Sequence, residues 1–297
     1  MHNNLIIDSN LSYYYYGIHI QEWLAVKHGI KPVLRTVLRT DKFEYVEKLC
    51  RKEGLSSLIK PFTQLYGTKL NSPINIIYVS RSKDLLEEAY LSDKSGDREK
   101  LGELLGYPSC CVDFFSEALK DAESPFPVKT YLKTNGKPSF LVNNVFKLES
   151  RLSSSGVEKI QKNPDFANRI SHLFLISHIP CSYTCKESID TGKEILTLLK
   201  REEPEVAKEI EFTLRKPLLF FDDFNWIIFN GKASGNTLDY ASILPPLSLM
   251  PGNVVSKFRD GDKVEVGKEY VEIFRNGEII HRIKKKHKYD GILLDFS

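Results

Sequence analysis

The sequence predicts an α+β fold, or α/β in its main part: a helix-rich domain over residues 1–216 with a short buried sheet, then a β-rich lobe over residues 217–297. Three observations carry that expectation. The run Asn75-Ile76-Ile77-Tyr78-Val79-Ser80 is short, continuous and apolar, the pattern of a strand covered on both faces. Apolar stripes at helical spacing recur between Asp41 and Glu203. From Pro217 onward, aromatic and β-branched runs alternate with the turn signals Asp222-Asp223, Asn230-Gly231, Asp260-Gly261 and Asn276-Gly277.

Taken in order, the run Tyr13-Tyr14-Tyr15-Tyr16 has no interleaved basic residues, so it reads as packing in a strand or helix start rather than as a stacking platform for bases. Asp41 to Glu53 is a helix with Phe43, Val46, Leu49 and Cys50 on one face and Gly54 as its stop. After the strand at 75–80, helices are predicted from Ser82 to Leu91 and from Asp97 to Leu105, the second closed by Gly106. Thr134-Asn135-Gly136-Lys137-Pro138 is a turn, and Asn143-Asn144 are expected to bond backbone rather than line a site. Asn163-Pro164 opens a helix whose Phe166, Ile170, Leu173 and Phe174 face inward. Pro245-Pro246 and Pro251-Gly252 make Leu244 to Asn253 a loop. Lys263 to Ile283 is a hairpin about Asn276-Gly277, whose residues tolerate the positive φ of a type I′ turn.

Composition narrows the function classes. With 297 residues, 41% hydrophobic and 27% charged, the chain can bury a core without covalent help. No stretch reaches the roughly 18 uncharged apolar residues of a spanning helix, and Met1-His2-Asn3-Asn4 does not begin a signal peptide, so a cytoplasmic protein with no membrane partner is expected. Methionine and tryptophan number two each against abundant lysine and glutamate, a thermophilic bias. Net charge is +3 and the pI about 8.4, too mild to announce a nucleic-acid binder. The one dense basic run, His281 to Lys288, reads as a solvated strand or turn whose lysines discourage edge pairing. An RNA platform using Phe274 and Tyr289 is the alternative, and Asp260, Asp262, Glu265, Glu269, Glu272 and Glu278 oppose its field. The expected partner is therefore a small molecule or a protein, with nucleic acid second. No Gly-x-Gly-x-x-Gly, P-loop, His-Glu-x-x-His or Gly-x-Ser-x-Gly occurs, which disfavours nucleotide-dependent transfer, zinc proteolysis and α/β-hydrolase chemistry.

Chemistry concentrates in the cysteines. Five are too few for a disulfide scaffold, and Cys50 falls on the apolar face of its own helix as a small hydrophobe. The other four form two pairs, Cys110-Cys111 after Pro108 and Cys181/Cys185 after Pro180. Proline suits the first helical turn, where a missing N–H costs nothing, so both pairs are expected at helix starts. The first helix runs to about Ala122, with Cys111, Phe114, Phe115 and Ala118 on one face and Cys110 at its edge. The second runs to about Glu203, with Cys181 and Cys185 stacked at i and i+4 above Ile189, Leu196 and Leu199. Helix starts favour thiolates.

Three chemistries use such a set. The spacings C-C and C-x3-C depart from the C-x2-C knuckle of structural zinc, and vicinal side chains diverge on a regular helix, so an iron–sulfur cluster on Cys110, Cys111, Cys181 and Cys185 is the leading reading. Structural zinc is the second. Thiol–disulfide exchange, with a bridge such as Cys111 to Cys185, is the third. His178 is a candidate ligand or proton donor beside the second pair, and Arg81, just past the buried strand, a candidate anion contact of the kind found at strand carboxyl ends. Neither the reaction nor any catalytic residue follows from these residues.

The stretches Ile76-Ile77-Tyr78-Val79-Ser80-Arg81-Ser82, Gly-Tyr-Pro-x-Cys-Cys-x-x-Phe-Phe from Gly106, and His178-x-Pro180-Cys181-Ser182-x-x-Cys185 resemble an uncharacterised, mainly archaeal protein family catalogued as a domain of unknown function. The resemblance spans most of the chain. It implies an archaeal, cytoplasmic protein in an anaerobic setting, where iron–sulfur chemistry is ordinary, and it implies no activity.

Overall fold

The computed structural model describes residues 14–15, 18–38, 40–65, 68–121, 124–147, 159, 162, 170–245, 247–287 and 289–297. The chain divides into two compact units, Met1–Asp113 with Lys193–Glu209, and Phe114–Gly192 with Ile210–Ser297. The class is α+β: among the described residues every strand pair is antiparallel, which removes the α/β alternative and its parallel crossovers there.

In the first unit, a two-residue pair β1 (Tyr14–Tyr15) and β2 (Ile18–His19) precedes helix α1 (Ile20–Lys27). Tyr13 and Tyr16 of the tyrosine run lie outside the described residues. Strands β3 (Val33–Leu38), β4 (Ser56–Leu65) and β5 (Thr68–Ser80) form a sheet with β5 in the middle. The predicted strand is the buried end of β5, from Ile76 to Ser80. Helix α2 (Phe43–Lys52) follows a 3-10 turn, buries Val46 and Cys50 as its stripe requires, and stops before Gly54. Helix α3 (Lys83–Ser95) runs a turn longer than its apolar pattern suggests, up to Gly96 at φ +77°. That extra turn carries Asp93, which accepts from Arg35 Nε at 2.5 Å and from the Tyr78 hydroxyl at 2.5 Å. Burial, with the adjacent Asp93 carboxylate, pushes the Tyr78 phenol far up, so it stays a donor.

Helix α4 (Arg98–Leu104) is capped by Asp97, whose carboxylate accepts from Lys100 N at 3.0 Å. Gly106 ends it at φ +72°, with Pro32 so close that a Cβ would stand 2.9 Å from its Cδ. Only glycine meets both conditions, and the turn it makes delivers Tyr107-Pro108 to the next helix. Among the described residues no helix is long and apolar enough to cross a membrane.

In the second unit, seven antiparallel strands follow in the order β11-β10-β9-β8-β7-β6-β12. They are β6 (Leu218–Asp222), β7 (Asn225–Ser234), β8 (Thr237–Ile243), β9 (Lys263–Val266), β10 (Tyr270–Arg275), β11 (Glu278–Lys284) and β12 (Ile292–Leu294). The Asn276-Gly277 turn has both residues at positive φ, 52° and 85°, as its hairpin needs. Two other turn signals mislead. Asn230-Gly231 lies inside β7 at a register shift, where a Cβ on Gly231 would stand 2.2 Å from the Asp239 carbonyl oxygen; the glycine serves close strand approach, not reversal. Pro251-Gly252 opens a helix, Gly252–Arg259, whose first amide bonds return to the Pro251 carbonyl. It buries Phe258 among Phe229, Tyr240 and Ile273, and Tyr240 donates to its carbonyl at 2.7 Å. The helix expected from Asn163-Pro164 to just before His178 lies outside the described residues up to Ile170, and beyond it residues 171–177 are turn and irregular chain rather than helix, although Ile170, Leu173 and Phe174 are buried as expected.

Candidate metal centre

Helix α5 (Ser109–Ala118) begins directly after Pro108, whose carbonyl accepts from Cys111 N and Val112 N at 2.9 and 3.1 Å. It ends a turn before the predicted Ala122. Cys111, Phe114 and Ala118 are buried, Phe115 is half-buried and Cys110 is exposed, the distribution that the stripe demands. Phe114 and Ala118 pack with Phe126 and Ile179, while Phe115 and Cys181 close over them. Phe115 stacks on Phe126 at a centroid distance of 5.4 Å. Phe114, Phe115 and Ala118 thus pack within the second unit, in the same cluster as Cys181.

The second pair departs from expectation. Residues 181–184 are a turn, and the helix begins only at Lys186, running to Glu202. Competing bonds explain this. Tyr183 N donates to Thr134 Oγ1 at 2.9 Å, and Ser139 N donates to the Tyr183 carbonyl at 2.9 Å, so the backbone at 183 is committed elsewhere. Thr130 Oγ1 donates to the Pro180 carbonyl at 3.0 Å, and Thr184 N to Ser182 Oγ at 3.4 Å. The fully buried Tyr183 ring stands edge-on to Phe296 at 5.0 Å. Cys185 precedes the helix, its carbonyl accepting from Ile189 N at 2.9 Å.

The geometry nonetheless brings together all four predicted cysteines: the sulfurs of Cys110, Cys111, Cys181 and Cys185 lie within 4.8 Å of one another, positioned to ligate a metal ion. The expected divergence of the vicinal pair does not occur. Their sulfurs are 3.9 Å apart, since rotation about Cα–Cβ offsets the 100° between adjacent helical positions. None of the five cysteines is disulfide-bonded. Cys50 stays apart from the cluster, and burial pushes its thiol up to about 11 against a lowering hydrogen bond from Ser57.

His178 is buried behind the cluster. Its Nε2 lies 2.8 Å from Ser188 Oγ, and Ser188 Oγ donates to Cys185 Sγ at 3.3 Å. With the serine proton directed at sulfur, the histidine Nε2–H is the donor in the first bond. Its own carbonyl accepts from Asn144 Nδ2 at 2.9 Å, while Asn143 Nδ2 donates to Leu214 O at 2.9 Å. Both asparagines are structural, as expected of them. Ser188 escaped the sequence reading, although its place three residues after Cys185 puts it on the same helical edge.

Arg81 is exposed, and a Cβ on Gly29 would stand 3.0 Å from its guanidinium. Because its sheet is antiparallel, the rule that gathers ligands at the carboxyl ends of parallel strands does not apply there. Only the first part of the basic run, His281 to Lys284, belongs to the edge strand β11, where Arg282 Nε meets Glu272 at 2.7 Å and His281 lies 3.9 Å from Asp260; Lys288 lies outside the described residues. Comparison of the chain with protein-family models, with curated proteins and with solved structures gave no match.

Proposed function

We propose that the chain binds a single metal ion, zinc in type, through the thiolates of Cys110, Cys111, Cys181 and Cys185. The observation that carries this is the mutual approach of the four sulfurs within 4.8 Å. Zinc–sulfur bonds of about 2.3 Å in a tetrahedron set the sulfurs about 3.8 Å apart, close to the 3.9 Å between Cys110 and Cys111. An iron–sulfur cluster places several irons between its outer sulfurs and needs them further apart, so the separation supports one ion over the cluster favoured by the spacing. Ser188, held by His178, supports the same reading: metal-bound thiolates accept hydrogen bonds from outer partners that orient them. The ion would join two chain segments remote in sequence, a staple for a fold expected in an archaeal cytoplasm.

Elemental analysis of anaerobically purified protein tests it. One zinc per chain in colourless protein is the expected result, and cobalt substitution should give the intense visible bands of tetrahedral thiolate ligation. Brown protein with acid-labile sulfide would establish the cluster instead. Metal-free protein with two disulfides would establish redox chemistry.

A further inference from the structure

The four sulfurs are not equivalent, and the difference singles out one of them. Cys111 is 2% exposed and Cys185 is 8% exposed. Cys185 also accepts a hydrogen bond from Ser188, which withdraws electron density from its sulfur. Cys181 is half-buried and packs against the cluster of Phe114, Ala118, Phe126 and Ile179. Cys110 alone of the four is exposed, because it sits 100° around the helix from the buried stripe. A divalent ion held by four thiolates leaves an excess of negative charge on sulfur, and a metal-held thiolate stays ionised and nucleophilic without a neighbouring base.

We propose, resting on the single-ion reading above, that Cys110 is a reacting thiolate that accepts an alkyl group from a soft electrophile arriving from solvent. A lone pair of Cys110 Sγ forms the new sulfur–carbon bond as the bond from that carbon to its leaving group breaks. The leaving group departs with that electron pair and the negative charge, and Cys110 becomes a neutral thioether. No oxidant, reductant or proton transfer enters the balance. The substrate class is an alkyl donor with a good leaving group, and the three shielded cysteines keep the ion in place while Cys110 reacts.

The test uses the metal-loaded full chain, with zinc content measured first on the same sample, and iodoacetamide as the probe. Peptide mass mapping over time should find the adduct at Cys110 at least about ten times faster than at any other cysteine, with zinc retained. The Cys50→Ala variant, which leaves all four ligands in place, should keep its zinc and still take the adduct at Cys110. Zinc-loaded protein that is unmodified, or modified first at Cys181 or evenly across the four, overturns the proposal and leaves the metal reading intact. A sample without stoichiometric metal overturns the metal reading, and the proposal with it.

Discussion

The two halves of the cysteine cluster reach the same place by different means. Cys110 and Cys111 ride on a regular helix whose start is fixed locally, by Gly106 at positive φ and by Pro108 accepting the first amide bonds. Cys181 and Cys185 sit on a turn shaped by residues about fifty positions away, Thr130, Thr134 and Ser139. A local device persists with or without a ligand, whereas a turn assembled from remote hydrogen bonds has few of its own.

The largest expected effect follows from removing the metal. Chelation should lower stability by about 4 kcal/mol relative to protein held at a thousandfold excess of metal over Kd. The loss should be uneven: amide exchange should accelerate at Tyr183 and Cys185 while Val112, bonded to the Pro108 carbonyl, keeps its protection. Equal acceleration in the two segments would break the comparison.

Cys50 is the control cysteine for both halves, since it lies on a helix and outside the cluster. Its thiol is raised from 9.0 to about 11 in the fold, chiefly by burial. The folded chain therefore holds this proton more tightly than the unfolded one. The associated stability is fully present below about pH 9 and is lost as pH rises toward 11, up to about 3 kcal/mol. Urea midpoints across that range should fall more steeply in the wild type than in Cys50→Ala, and parallel slopes would refute the assignment.

The turn can also be weakened without touching a cysteine. Thr134→Val keeps the side-chain shape but removes the acceptor of Tyr183 N, at a cost of about 1–3 kcal/mol. Metal affinity should drop with it, by roughly tenfold for each 1.4 kcal/mol that falls on the unliganded turn. Thr191→Val, which removes an exposed bond back to the Glu187 carbonyl, should change neither melting temperature nor affinity. Similar losses from both variants would mean that Thr134 is no more than a generic helix-side threonine.

This contrast also sets what could be read from sequence. The apolar stripe Cys111, Phe114, Ala118 and the exposed Cys110 were legible because helical periodicity is a local property. The i, i+4 stacking of Cys181 on Cys185 was illegible as a turn, since nothing within the segment announces that Thr134 and Ser139 claim its backbone. The same holds in the sheet-rich region. Asn276-Gly277 could be assigned from its own φ demands, but Gly231 answers to Asp239 and Tyr240 on the neighbouring strand, and Pro251-Gly252 starts a helix because Phe258 has a core to enter. The four-cysteine set was found from clustering in sequence. The sulfur separations that bear on one ion against a cluster required the fold.

The smallest effect concerns the bond that joins the helix following the turn to the cluster itself. Ser188 donates to Cys185 Sγ and is held by His178, so Ser188→Ala should leave the fold unchanged and alter only the thiolate. Loss of one such outer hydrogen bond lowers metal affinity by about tenfold, toward the weaker end of the range for second-layer partners. A sulfur relieved of that bond is also a better electron donor, so the cobalt-substituted variant should absorb at lower energy in its sulfur-to-metal band. His178→Gln offers the sharper comparison, because its amide nitrogen can donate to Ser188 Oγ as the imidazole does. If the histidine serves only to hold the serine, glutamine should restore most of the affinity and the wild-type band position. Should His178→Gln instead lose metal as thoroughly as Cys185→Ser, the histidine would have to act on the ion directly, and the turn-borne half of the cluster would contribute three groups rather than two.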